Sequence, residues 1–308
     1  MKQKTKNIYR RKFYNDEYEI ELPSYHDGVK KKFLIVGDIH YHEHAPKDVF
    51  EILFVNAKEI NPDFIIMPGD VIETVTFLNI PSEKEYFENM LKALASIAPL
   101  IISPGNHEVA NYNTNIDRSS TPKTIEYFES LNQYPNIHFL NNKQVVIDSI
   151  TFTGFSPSIN YYYNYNDEQS GKIAYEEYAN TYLKMKEEDF NVLVSHVVPL
   201  DFVDKDKTDL TIAGHWHDGL IPKILDRFFE DTDKGIFFEN FPKKKSSYVQ
   251  YARGVKEFGR GYAVVTQGYR KHTADISLFN MLERIMSNDV ETITIQEGIT
   301  HVKKIRKH

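Results

Sequence analysis

The sequence predicts an α/β fold with two sheets, on three observations. Five short apolar runs each empty into a polar cluster, at residues 33–40, 64–70, 100–108, 192–196 and 210–217. Between the first three lie segments whose apolar residues recur at helical spacing. In the middle of the chain, several strand-like runs follow one another with no helix between them.

The apolar runs are short and rich in Ile and Val, which marks buried strands. Segment 47–60 spaces Val49, Ile52, Leu53 and Ile60 as a helix face, and segment 83–98 does the same with Phe87, Leu91, Leu94 and Ile97. Strand, helix, strand, helix, strand is the pattern of right-handed crossovers in an α/β sheet. It lines successive strand C-termini along one edge, where such sheets bind ligands. Residues 137–155 hold IHFL, QVVI and ITFTGF, separated by Asn141-Asn142 and Asp148-Ser149. They predict a meander of short strands and a second sheet. Segment 171–190 is expected as a polar helix, and strand-like runs recur at 261–266 and 290–302. We find no repeat and no linker, so residues 33–308 are expected to form one domain behind a basic lead-in at 1–32. The irregular segment 220–260 is too long for a simple connection and should cover something.

At 308 residues the chain can bury a sizeable core without a disulfide or metal staple. Its 41% hydrophobic and 26% charged residues exclude disordered and collagenous classes. The absence of cysteine excludes disulfide frameworks, thiolate catalysis, thiolate zinc sites and iron–sulfur clusters, and fits a reducing compartment. A net charge of −7 argues against a dedicated duplex-DNA binder. At the chain ends, positive charge gathers at 2–12 and 303–307, as solvated tails or, alternatively, a membrane-surface contact. No run of about 18 apolar residues forms a membrane span, and the polar start has no signal-peptide core. The expectation is a soluble, cytoplasmic protein, with peripheral membrane association open and the oligomeric state undetermined.

The chemistry concentrates where the apolar runs end, at Asp38, His40, Asp70, Asn106, His107, His196, His215 and His217. Taken singly, each histidine would be a hydrogen-bonded or solvent-facing side chain. Five of the twelve histidines falling directly after apolar strands is a pattern that scattering does not produce. There is no G-x-x-x-x-G-K-[ST] phosphate loop, no G-x-S-x-G elbow, and no second histidine to make a zincin motif of His107-Glu108, so nucleotide-dependent and serine-hydrolase classes fall away.

The ordered blocks D-x-H, GD, GNHE, SH and GHxH, spanning Asp38 to His217, resemble the calcineurin-like metallophosphoesterase superfamily. That resemblance implies a four-layer αββα sandwich with a dinuclear metal site at the strand C-termini. It implies that Asp38, His40 and His217 hold one metal, that Asn106, His196 and His215 hold the other, and that Asp70 bridges them. Imidazole donors suit first-row transition metals rather than magnesium or calcium, so the expected cofactors are two divalent ions, manganese, iron or zinc. Two such ions against the carboxylates of Asp38 and Asp70 leave about two positive charges to attract a phosphate. The resemblance further implies attack of a metal-bridging hydroxide on a phosphomonoester or phosphodiester, with His107 as general acid oriented by Glu108. A nuclease or cyclic-nucleotide phosphodiesterase on the same centre is the alternative, and a catalytically silent scaffold of the same fold a further one. Nucleic acid is a possible partner but not the favoured one.

Weaker features complete the reading. Gly37, Gly69, Gly105 and Gly214 precede candidate ligands and are expected to let backbone approach the ions. The block GDVIE places Glu73 where the family more often has aspartate, so Glu73 is expected beside the ligands or on the surface rather than among them. His42 and His44 are expected to face solvent or, alternatively, to line the pocket, and Tyr161 to Tyr165 to pack an insert or, alternatively, to stack a base or sugar. Lys243 to Lys245, Arg253 and Arg260 are expected on a solvated face or, alternatively, against an anionic substrate.

Overall fold

Period-two alternation inside the apolar runs sorts their side chains onto two faces. The computed structural model describes residues 13–45, 47–110, 121–156, 185–198, 207–216, 254–269 and 288–306. In β2 (Lys31–Ile35), β3 (Phe64–Pro68) and β4 (Leu100–Ser103), one face carries Phe33, Ile35, Phe64, Ile66 and Ile101. The other carries Leu34, Ile65, Met67, Leu100 and Ile102. Both sets are buried, so these parallel strands need cover on both sides.

Helices supply one cover. In α1 (Asp48–Ile60) the buried stripe is Phe50, Leu53 and Ala57, so Ile52 and Ile60 of the expected face lie at its margin. Asn61 closes α1 in left-handed backbone and donates its N–H to the Ala57 carbonyl at 3.0 Å, a common helix stop. Helix α2 (Pro81–Ala95) opens on proline and buries Phe87, Met90, Leu91 and Leu94, the spacing of one helix face. Two further helices are α3 (Asn106–Ala110) and α4 (Thr121–Ser130).

The second cover is another sheet. The first sheet adds β1 (Phe13–Leu22), β5 (Ile137–Phe139), β12 (Asn288–Glu297) and β13 (His301–Arg306), in the order β13-β1-β12-β2-β3-β4-β5. The second consists of β6 (Gln144–Ile147), β7 (Ile150–Phe155), β8 (Phe190–Ser195), β9 (Leu210–Ala213), β10 (Gly254–Phe258) and β11 (Gly261–Val265), in the order β10-β11-β9-β8-β7-β6. Both mix parallel and antiparallel pairs, which gives the mixed α/β, two-sheet class expected. Phe33, Phe64 and Phe152 meet between the sheets, with ring centroids 5.4 and 4.9 Å apart for the Phe33–Phe64 and Phe64–Phe152 pairs. Burying each such ring contributes about 1.5–3 kcal/mol. The helical layer expected outside the second sheet falls on residues beyond those described, as do Tyr161 to Tyr165, Lys243 to Lys245 and Arg253.

Several boundaries differ from expectation. Residues 137–155 are not one meander: β5 pairs parallel with β4, Leu100 opposite Ile137, because Ile137 and Phe139 extend the helix-side core. Only β6 and β7 form a hairpin, through Asp148 and Ser149 at φ 50° and 63°, the two left-handed residues a tight hairpin favours. Of the polar helix expected at 171–190, residues 171–184 lie outside those described. Residues 185–189 are not helical, and Phe190 opens β8 because Phe190, Val192 and Val194 alternate into the inter-sheet core. The run 290–302 is broken at Gly298 into β12 and β13, which lie on opposite sides of β1. The basic residue Arg260 is not on a solvated face: it forks onto the buried Asp209 carboxylate at 2.7 Å for both bonds. Among the described residues, no helix is long and apolar enough to cross a membrane.

Candidate metal centre

Among the described candidates, Asp38, His40, Asp70, His196 and His215 fall in loops just past the C-terminal ends of their strands, and Asn106 and His107 open α3 just past β4. Asp38, His40, Asp70 and His215 take φ of 53°, 49°, 48° and 77°. Left-handed backbone costs a non-glycine residue about 1–2 kcal/mol. Such strain persists where surroundings impose it, and it gathers at functional sites. Here the first two loops impose it on each other: Asp38 N–H donates to the Gly69 carbonyl at 3.3 Å and His40 N–H to the Asp70 carbonyl at 2.9 Å.

Close passage of the loops accounts for two of the glycines. A Cβ on Gly69, at φ 88°, would lie 2.6 Å from the Gly105 Cα, and one on Gly105 would run into Asp70 and lie 2.9 Å from the His196 ring. The glycines make room for the candidate ligands themselves.

Asp70 lies at the centre. Its Oδ2 is 3.0 Å from His196 Nε2, 3.8 Å from His40 Nε2 and 3.9 Å from His107 Nε2, while Oδ1 accepts the His107 N–H at 2.9 Å. His215 Nδ1 lies 2.9 Å from Asn106 Oδ1 and 3.1 Å from His196 Nε2. His215 N–H donates to both oxygens of Asp38 at 3.1 and 3.2 Å. Among the described residues three groups have donor atoms within 4.8 Å of one another: Asp38–His40–Asp70 and Asp70–His196–His215, which share Asp70, and His40–Glu73–His107. His217 lies outside the described residues.

Outer partners aim the rings. The Pro68 carbonyl accepts from His196 Nδ1 at 2.8 Å, the Glu73 carboxylate from His40 Nδ1 at 2.7 Å, and the Glu73 carbonyl from His107 Nδ1 at 2.9 Å. An oxygen that only accepts assigns the proton to Nδ1 and turns Nε2 inward, the arrangement metal-binding histidines use. Glu73 therefore serves two rings, one through its side chain and one through its main chain; its place at the end of GDVIE was the available signal. Glu108, expected to orient His107, spends its carboxylate on the backbone. It accepts the N–H of Gly105 at 2.7 Å and those of Asp70 and Ile72 at 3.0 Å each. His44 is exposed and donates its N–H to His42 Nδ1 at 3.3 Å.

The protein groups perturb one another strongly. Burial pushes His196 down, but the Asp70 and Asp38 carboxylates outweigh it and raise the ring to about 9. Burial pushes Asp70 up, yet His196, His107 and His40 hold it well below the usual carboxylate range. Burial raises Asp38 to about 7 and lowers His40 to about 4. His215 falls to about 3 through burial and then the His196 charge. For His107, burial opposes the charge, but Asp70 and Glu73 prevail and the ring is raised. Burial, with Asp70 nearby, lifts Glu108 to about 6. Titratable groups forced this far apart in one buried cluster make it a candidate functional site.

The donors suit a first-row cation: imidazole nitrogens from His40, His196 and His215, carboxylates from Asp38 and Asp70, and one amide oxygen from Asn106. A cation at His196 must displace a proton held up to about 9. Uptake is therefore expected to release protons, with apparent affinity rising about tenfold per pH unit from 7 toward 9. Calorimetric titrations in buffers of different ionisation enthalpy measure this, and an affinity flat with pH would contradict it.

A family model described as calcineurin-like phosphoesterase matches residues 31–219. No curated protein matches the sequence. Among solved structures, the chain is similar to a phosphopantetheinyl hydrolase from Mycobacterium tuberculosis, at 14% identity over 61% of this chain and 83% of that one, with a TM-score of 0.40. It is also similar to TT1561 of Thermus thermophilus, at 9% identity over 78% and 90%, TM-score 0.46. A dimetal phosphatase from Danio rerio matches at 10% identity over 77% and 87%, TM-score 0.38.

Proposed function

The chain belongs to the calcineurin-like phosphoesterase family, whose model spans more than half of it, and on that premise we propose that it is a two-metal hydrolase of phosphomonoesters or phosphodiesters. In this reading Asp38, His40 and His217 hold one divalent transition-metal ion, manganese, iron or zinc. Asn106, His196 and His215 hold the second, and Asp70 serves both. The observation that carries the reading is the convergence of His196, His40 and His107 Nε2 on one oxygen of Asp70, at 3.0, 3.8 and 3.9 Å.

When bound, the cations supply Lewis acidity that makes water nucleophilic near neutral pH and draws charge from the phosphoryl oxygens. The remaining chemistry belongs to side chains. His107 keeps Nδ1 on the Glu73 carbonyl, which leaves Nε2 to carry the proton that moves. The Asp70 and Glu73 carboxylates raise its pKa against the effect of burial, which favours the protonated ring. His107 Nε2 then donates to the ester oxygen as the phosphorus–oxygen bond breaks, and water supplies the new oxygen on phosphorus. Glu73 holds His40 and His107 in register with each other, and Glu108 holds the loops that present Asp70 and His107.

Purified protein reconstituted with manganese should contain close to two transition-metal ions per chain by elemental analysis. It should also hydrolyse an aryl phosphate mono- or diester. A panel of phosphomonoesters, phosphodiesters, nucleotides and nucleic acids then sorts substrate class. Protein that takes up no cation and turns over none of the panel would overturn the proposal.

A further inference from the structure

We infer that Trp216 is a positioning residue of this centre, its indole holding the His215 ring edge-on so that Nδ1 stays turned toward Asn106 and His196. The inference rests on the two-metal reading above and extends it to a residue outside the ligand set.

His215 has left-handed backbone, and its N–H is committed to Asp38, so the main chain fixes where the ring begins but not how it is turned. Rings on two sides supply that restraint. The His196 ring lies 4.9 Å away at 80°, and the Trp216 ring 4.8 Å away at 76°. Edge-to-face contacts of this kind resist rotation because turning either ring costs contact with the other. Rotation of His215 would carry Nδ1 away from Asn106 Oδ1, now 2.9 Å distant.

Trp216 can act as a stop because it is itself seated. Its N–H donates to the Gly214 carbonyl at 3.0 Å, a tight turn that folds the indole back beside its neighbour. The indole packs against the buried cluster of Val198, Ala213, Phe258, Ala263 and Val265. Those residues come from β9, β10, β11 and the loop after β8, so the second sheet braces the ring that braces His215.

The test compares Trp216→Leu, which keeps apolar bulk and removes the ring, with Trp216→Phe, which keeps a ring. In manganese titrations by calorimetry, wild type should bind two cations. Trp216→Leu should weaken one of them by about tenfold or more and the other far less, the cost seen when an outer support of a metal ligand is lost. Trp216→Phe should recover most of that loss. As the one tryptophan in the chain, Trp216 should also be quenched by manganese in wild type, in step with filling of that same site. Unchanged binding in Trp216→Leu, or equal weakening in both variants, would overturn the inference while leaving the metal reading in place. A wild-type chain that binds no manganese would overturn both. Should Trp216→Leu not fold, Phe258→Leu loosens the seat without touching His215; it is expected to weaken the same site, and no weakening there overturns the inference.

Discussion

Asp70→Asn should strip the protein of its cations and, with them, of turnover, whereas His107→Ala should keep the cations and lose turnover alone. The contrast follows from what each side chain does. Asp70 is buried and turns one oxygen toward the Nε2 atoms of His40, His107 and His196 while its other oxygen accepts the His107 N–H. An amide there removes the charge shared by both donor groups. Loss of even an outer support costs about 10–100-fold in metal affinity, so loss of the shared carboxylate should exceed that range. His107 stands beside Asp70 with its ring held by a backbone carbonyl. In the general-acid role proposed for it, its removal should cost about 10²–10⁴-fold in rate without emptying the site. Metal content measured alongside turnover decides the matter, and equal cation loss in the two variants would move His107 into the metal shell.

The largest effect on stability is expected at Glu108. Its carboxylate is fully buried and is the acceptor for the N–H groups of Gly105, Asp70 and Ile72. Alanine would leave three main-chain donors without that oxygen, at about 1–3 kcal/mol for each buried group left unmade. Against a typical total stability of about 5–15 kcal/mol, a loss of about 3 kcal/mol or more is severe. Glutamine keeps one oxygen, which can serve Asp70 and Gly105 as Oε2 does now, but sets an NH2 against the Ile72 N–H. It should therefore recover more than half of the loss. Urea unfolding of the three proteins measures the series, and a Glu108→Ala shift below about 1 kcal/mol would show that water or neighbouring groups take over the carboxylate's bonds.

Glu73 and Glu108 mark the limit of what could be read from the sequence. Asp38, Asp70 and His196 stood out because each follows a run of Ile, Val and Leu, and a polar group directly after a buried strand must be satisfied by something at the sheet edge. Helices α1 and α2 were legible through the spacing of Leu53, Phe87, Leu91 and Leu94. Glu73 and Glu108 were visible as residues, but their partners were not. Which N–H or imidazole a carboxylate meets depends on how two loops from different strands lie against each other, and no local spacing encodes that. Sheet membership failed for a related reason. Strand β1 lies in the segment expected as a lead-in and was not read as a strand, although Tyr18, Ile20 and Leu22 alternate with Glu17, Glu19 and Glu21; its parallel partner is β12, at the other end of the chain. Strand β5 looks like its successors β6 and β7 but has its apolar residues turned to the helices.

The left-handed backbone at Asp38, His40, Asp70 and His215 narrows what an engineer could put there. Aspartate, asparagine, histidine and glycine tolerate that conformation; glutamate, glutamine and the branched residues resist it. A swap that keeps the donor chemistry, such as glutamate for aspartate, would thus be refused on shape. Retuning this centre for a different ion means working within a four-letter alphabet, or else moving to the outer residues, Glu73 and Trp216, where the main chain makes no such demand.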